Sequence, residues 1–117
     1  MTVPEFRDLE RALAMIDSKD YAAALQLLVP LAEAGDPVAQ CNLASLYQCG
    51  LGVKADGQKA VKLYERVGEL EIREKHLSAL AYHNLATIYV TGAPGVQPDQ
   101  EKARKCEGRA RELGFDL

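Results

Sequence analysis

Apolar residues recur every three or four positions along most of this chain, which is the spacing of one face of an α-helix. Leucine and alanine supply most of the apolar content, and both favour helices over strands. The clearest stripes are Leu43, Leu46 and Tyr47, followed later by Leu85, Ile88 and Tyr89. The pattern predicts six helices, over residues 5–17, 21–34, 37–49, 57–71, 76–91 and 99–113.

One stretch of this pattern occurs twice. Residues 39–50 read AQCNLASLYQCG, and residues 81–92 read AYHNLATIYVTG. The matches continue through VKADGQKAVKLYERV and VQPDQEKARKCEGRA, which form the helix that follows each copy. A fainter copy of that second helix, DYAAALQLLVPLAEAG, occurs earlier. We interpret the chain as a single domain, residues 1–117, built from helix pairs over about 5–34, 37–71 and 76–113.

Local signals mark where the repeated helices stop and start. Gly50 and Gly92 follow the last periodic residue of a helix, and we expect both at positive φ because glycine takes a left-handed C-cap without strain. Asp56 and Asp99 precede the next helices, where an aspartate side chain accepts hydrogen bonds from free backbone N–H groups. Each repeat therefore reads as helix, glycine stop, loop and capped helix.

Two segments interrupt the regular pattern. Pro30 lies inside the second predicted helix, where the loss of one hydrogen bond predicts a kink. The segment ELEIREKHLS, between the second and third pairs, is longer than the junction before it. We expect this segment to extend the fourth predicted helix, 57–71, by a turn or two.

Composition and charge restrict the class of protein. The chain has 117 residues, 48% of them hydrophobic, and a net charge of −3, which argues against nucleic acid as the main partner. Its first residues are interrupted by charges, unlike a signal peptide, and no stretch approaches the ~20 apolar residues of a membrane span. Three cysteines cannot all pair within the chain, and Cys41 and Cys49 lie too far apart on one helix for a disulfide. We therefore expect a cytoplasmic protein without membrane contact.

The stretch NLASLYQCGLGVKADGQKAVKLYERV and its second copy resemble Sel-one-like repeats, which are longer-looped relatives of tetratricopeptide repeats. The family pattern is similar to a Leu-small-x-x-Tyr helix, a Gly-x-Gly-Val loop and then Asp-x-x-Lys-Ala. The third unit departs from it with GAPGV in the loop, and the resemblance covers about residues 21–114. It implies an all-α, right-handed α/α solenoid of about three antiparallel helix pairs. It also implies an adaptor that holds other proteins in complexes.

Candidate chemistry is sparse. Cys41 and His83 occupy the same position in the two copies, and adjacent helices lie ~8–10 Å apart, so the two side chains could be neighbours. Such a pair could serve as a nucleophile with its base, or as half of a metal site, in a small Cys/His enzyme or metal-binding protein. The sequence offers no convincing third member. We therefore expect no catalytic, metal or cofactor-binding residue, and keep the enzyme as the alternative.

Two further pairs of polar residues recur. Asn42 and Asn84 match asparagines that clamp a peptide carboxylate in some tetratricopeptide domains, but the groove here offers no lysine or arginine one turn earlier. We expect them to hydrogen-bond neighbouring helices or a loop. Lys59 and Lys102 follow their helix starts by three residues, where the helix dipole disfavours a cation. Their recurrence predicts a specific local bond.

The first helix of each pair should line the concave wall of the solenoid. Predicted helix 76–91 is apolar almost all round, more than its packed neighbours require. We expect a protein or peptide partner, in extended or helical form, to bind this nearly uncharged wall. The alternative is a second copy of the chain, which would make the protein a homodimer or a self-associating assembly module. The expected partner-binding residues are Val38, Cys41, Ser45, Gln48, Leu80, His83, Thr87 and Val90.

Overall fold

The computed structural model describes residues 6–71 and 73–114, with the backbone alone for Phe6. Within these residues it contains helices and no named strand, with one isolated bridge between Ala93 and Val96. The helices are α1 (Phe6–Asp17), α2 (Tyr21–Glu33), α3 (Pro37–Cys49), α4 (Gly57–Gly68), α5 (Lys75–Thr91) and α6 (Gln100–Glu112). The predicted all-α solenoid of helix pairs is confirmed, and five helices end within two residues of their predicted bounds.

The helices stack in chain order. Each helix packs on the next, and α3 also packs on α5, so that successive pairs share one continuous core. Alanines contribute much of this core, with Ala24, Ala44 and Ala60 fully buried. A small side chain at such a position lets two helix backbones come close together. The side chain of Tyr64, from α4, is the largest that is fully buried among the described residues.

Aspartates start four of the helices. Oδ1 of Asp56 accepts a hydrogen bond from the backbone N–H of Lys59 (3.1 Å), and Oδ1 of Asp99 does the same from Lys102 (3.0 Å). These caps are the predicted ones. Two aspartates that the repeat did not single out, Asp20 and Asp36, cap α2 and α3 in the same way.

The loops that follow α3 and α5 turn through glycine and dock on the preceding helix pair. Gly50 has φ of 69° and Gly92 has φ of 81°, both positive as predicted. Gly57, at the start of α4, donates its N–H to the carbonyl of Pro94 at 2.8 Å. A Cβ on Gly57 would lie 2.6 Å from the Cβ of Ala93, so only glycine permits this contact. The loop after α5 is thereby held against α4.

The predicted extension of α4 is wrong, because α4 ends at Gly68 and the next described residues form turns. The cause is tertiary packing. The ring of Tyr82 covers Gly68, where a Cβ would lie 3.0 Å from the ring. Oγ of the buried Ser78 donates to the carbonyl of Val67 at 2.7 Å and so satisfies one of the last carbonyls of the helix. Arg109, from α6, pairs with Glu71 and holds the linker there.

Two other expectations about helix details have different outcomes. Helix α2 continues through Pro30 to Glu33, and the kink stays a prediction. Ala103 and Ala110 of α6 and its C-cap Leu113 are buried, and Cys106 is half-buried against the core, as the alignment of the repeats requires.

Candidate partner-binding surface

The predicted wall residues of α5 form an exposed apolar face. Leu80 is 38% exposed and Val90 is 43% exposed, and Thr87 between them is also exposed. His83 is half-buried on the same side of the helix. At about 100° per residue, these four side chains lie within about 80° of one another around α5. We call the surface formed by Leu80, His83, Thr87 and Val90 the α5 face.

The predicted wall residues of α3 are recessed. Val38, Ser45 and Gln48 are half-buried, and Cys41 is only 6% exposed. Because its side chain lies in the core, Cys41 offers a partner almost no surface in this arrangement.

A buried tyrosine explains why the polar groups of α3 face inward. The hydroxyl of Tyr64 reaches α3 from α4 and donates to Oε1 of Gln48 at 3.1 Å. The hydroxyl of Ser45 lies 2.9 Å from the phenol oxygen of Tyr64 and donates to it, since the phenol proton already goes to Gln48. Burial raises the pKa of Tyr64 to about 12, so the phenol keeps its proton at neutral pH. The side chains of Ser45 and Gln48 are thus hydrogen-bonded to a tyrosine of the core.

The two recurring asparagines behave differently. Nδ2 of Asn42 donates to the carbonyl of Val38 in its own helix at 2.9 Å, so the expected bond to another helix is wrong for this residue. Asn84, on α5, lies near the hydroxyl of Tyr64 on α4 and partly opposes the rise in the pKa of that phenol. For Asn84 the expected bond to a neighbouring helix stays a prediction.

The recurring lysines each lie over an aromatic ring. Nζ of Lys59 is 5.2 Å from the ring centroid of Tyr47, and Nζ of Lys102 is 5.4 Å from that of Tyr89. Both are within the range of cation–π attraction. The specific local bond that the recurrence predicted is therefore this contact. Sequence reasoning missed the partner, although Tyr47 and Tyr89 recur in step with the lysines.

The geometry gives no support to a Cys/His active site. Burial raises the pKa of the Cys41 thiol to about 11, whereas a nucleophilic cysteine needs a lowered pKa. In residues 6–71 and 73–114, no group of three or more His, Cys, Asp or Glu side chains could hold a metal ion. Cys41, Cys49 and Cys106 are all free thiols.

None of the described helices is long and apolar enough to cross a membrane.

Comparison with known proteins identifies the repeat. The model of the Sel1 repeat matches residues 16–36, 37–70 and 79–115. Chitin synthase regulatory factor 3 of Schizosaccharomyces pombe is 31% identical over 77 residues, which cover 66% of this chain but only 8% of that protein. The chain therefore spans less than a tenth of this curated relative.

Two solved structures share the fold. The Sel1 repeat protein from Oxalobacter formigenes superimposes with a TM-score of 0.75 at 25% identity, over 92% of this chain and 40% of that one. The protective antigen c5321 of uropathogenic Escherichia coli strains, which displays an SLR fold, superimposes with a TM-score of 0.70 at 26% identity, over 81% and 19%. With three matched repeats over most of its length, the chain belongs to the Sel1 repeat family.

Proposed function

We propose that this protein is an adaptor that binds a segment of another protein on its concave wall, with the α5 face as the main contact. Sel1 repeat proteins generally mediate protein–protein interaction. The observation that carries the proposal is the exposure of Leu80 and Val90 on one side of a helix whose opposite side buries Ala81, Leu85 and Ile88. A helix that needs only one apolar side for its own fold has a second one available for a partner.

The chemistry of the α5 face favours an apolar anchor. Leu80 and Val90 carry no charge, and the hydroxyl of Thr87 already donates to the carbonyl of His83 at 3.2 Å. Complete burial of a leucine or valine stabilises by about 1.5–3 kcal/mol, and both residues are already partly buried, so each would contribute roughly 1 kcal/mol to a complex. An extended or helical segment with two apolar side chains suits this surface, and its binding should depend little on salt.

A matched pair of substitutions tests the proposal. Leu80→Glu places a charge on the α5 face, whereas Leu51→Glu places the same charge at a leucine that is 36% exposed in the loop after α3. Proteins captured by the unchanged chain from the cells that make it would be identified, purified and titrated against both variants. We expect equal melting temperatures and an affinity at least tenfold lower for Leu80→Glu alone. Equal binding by both variants, or loss with Leu51→Glu alone, would place the contact elsewhere.

Light scattering separates a protein partner from self-association. The proposal expects the purified chain to have the mass of one copy, 12.8 kDa, at tens of micromolar. A doubled mass that Leu80→Glu returns to 12.8 kDa would assign the α5 face to a homodimer instead.

We further propose a reducing compartment such as the cytoplasm, because all three cysteines are free thiols.

A further inference from the structure

A second surface lies on the other side of α3. A cleft of about 300 Å³ separates α2 from α4, and we call it the α2–α4 cleft. Leu43 and Tyr47 of α3 and Leu63 of α4 line it with apolar surface. At about 100° per residue, Leu43 and Tyr47 point away from Val38 and Ser45, so this cleft and the concave wall occupy opposite sides of α3.

One wall of the α2–α4 cleft is basic. Lys59, Lys62 and Arg66 line it from α4, spaced three and four residues apart and therefore along one helix face. The opposite wall, from α2, is formed by small or apolar side chains and one carboxylate, that of Glu33. No ion pair among the described residues involves any of these three cations. The cleft thus carries three positive charges against one negative charge.

The next unit has an equivalent cleft with balanced charge. This α4–α6 cleft, of about 290 Å³, is lined by Tyr89 together with Lys102 and Lys105, which match Tyr47, Lys59 and Lys62 of the preceding unit. Its other wall supplies two carboxylates, Glu65 and Glu69. In the repeat register, Val29 and Glu33 of α2 occupy the positions of Glu65 and Glu69. The basic wall is therefore repeated, but at the α2–α4 cleft one of the opposing carboxylates is replaced by an apolar side chain.

We propose that the α2–α4 cleft is a second docking site, which takes an acidic peptide segment carrying one apolar or aromatic side chain. That side chain would rest on Val29 and Tyr47, which are half-buried above the buried Leu43 and Leu63. Carboxylates beside it would pair with Lys62 and Arg66. Charge complementarity selects an acidic segment, and the apolar lining distinguishes a peptide anchor from a polyanion. This site is separate from the α5 face and does not rest on the function proposed for it.

The test uses synthetic peptides and the full chain labelled with ¹⁵N. The probe has a central phenylalanine flanked on each side by three glutamates. Two control peptides replace either the phenylalanine by glycine or the glutamates by lysines. At low salt we expect saturable shifts of backbone amides in α2, α3 and α4 around the cleft, with a Kd below about 1 mM. Both control peptides should bind at least tenfold more weakly, and ~0.5 M salt should weaken the probe several-fold.

Two charge-matched variants locate the site. The double substitution Lys62→Glu/Arg66→Glu should abolish the shifts, whereas Arg104→Glu/Lys105→Glu, which changes the net charge equally on α6, should leave them. Equal binding of the glycine peptide would indicate a general attraction for anions and overturn the proposal. Shifts around the α4–α6 cleft or the α5 face, equal losses in both variants, or a fitted Kd above about 1 mM would overturn it as well. The Leu80→Glu variant should bind the probe normally, because the α2–α4 cleft is separate from the α5 face. A failure of the cleft proposal would therefore leave the adaptor proposal standing.

Discussion

At the scale of single residues, burial separates side chains that the repeat places in equivalent positions. Cys41 and His83 align in the two copies, yet Cys41 lies in the core while His83 stays half-buried on the α5 face. The thiol of Cys49, only eight residues after Cys41 on the same helix, is exposed. Chemical reactivity should therefore differ sharply among the cysteines.

The cysteines give a first prediction. With a thiol reagent at pH 8, Cys49 should be labelled first, and Cys41 should be labelled only as fast as the domain unfolds. Labelling of Cys41 at the rate of Cys49 would contradict its burial.

The pH dependence of stability provides a thermodynamic test of the burial of Cys41. The pKa of Cys41 is raised from 9.0 to about 11, so between these values the folded protein holds a proton that the unfolded chain releases. The free energy of unfolding should be unaffected by this thiol below about pH 9 and should fall as pH rises towards 11. In Cys41→Ala the fall between pH 9 and 11 should be shallower, because Cys106, whose pKa is also raised by burial, still contributes to it. Tyr64, whose pKa is raised from 10.0 to about 12, adds to the fall above about pH 10 in both proteins. If urea unfolding gave the same dependence of the free energy of unfolding on pH for both proteins, the raised pKa of Cys41 would be refuted.

The loop glycines give a third prediction. Gly50 lies in the left-handed helical region (φ 69°, ψ 43°), which asparagine also tolerates, but Gly92 (φ 81°, ψ 171°) lies in a region open almost only to glycine. Gly50→Asn should therefore destabilise less than Gly92→Asn in urea unfolding, although a Cβ at position 50 would lie 3.1 Å from that of Ala55 and adds a cost of its own. Gly108 is the matched control, because it lies inside α6 and an added Cβ would meet nothing within 4 Å. Gly108→Ala should stabilise by about 0.5–1 kcal/mol, and a loss of stability there would show that α6 packs differently.

At the scale of helices, starts could be predicted from sequence but not every stop. The aspartate caps act within three residues of their own helix, so Asp56 and Asp99 are visible in the chain. The end of α4 depends on Tyr82 and Ser78, ten or more residues later, and a local pattern cannot show that the two helices meet there. The same limit applies to the lysine contacts with Tyr47 and Tyr89, which join a helix to the one before it.

The caps allow a quantitative test of these helix starts. Asp56→Ala and Asp99→Ala should each lower the free energy of unfolding by about 1 kcal/mol, because an N-cap carboxylate satisfies a backbone N–H that alanine leaves unpaired. Asparagine at either position keeps an acceptor and should recover most of the loss. Urea unfolding of the four variants measures this, and alanine variants as stable as the unchanged protein would show that the observed bonds contribute little.

At the scale of the whole molecule, the loops tie each unit to the one before it. The N–H of Gly57 bonds the loop after α5, and Arg109 of α6 holds Glu71 beyond α4. The exposure of the α5 face was predictable, because the sequence of α5 has apolar residues on all sides and its neighbours can cover only part of them. The recessed wall of α3 and the α2–α4 cleft were not, because both depend on how a third helix packs.

The most direct measurement of the central claim is photocrosslinking in the cells that make the protein. A benzophenone amino acid would replace Val90 on the α5 face or, as control, Leu51, which has similar exposure in the loop after α3. We predict that the probe at position 90 forms an adduct with a different protein, that Leu80→Glu in the same chain removes this adduct, and that the probe at position 51 forms none. Adducts from position 51 alone, or from position 90 to a second copy alone, would contradict the account.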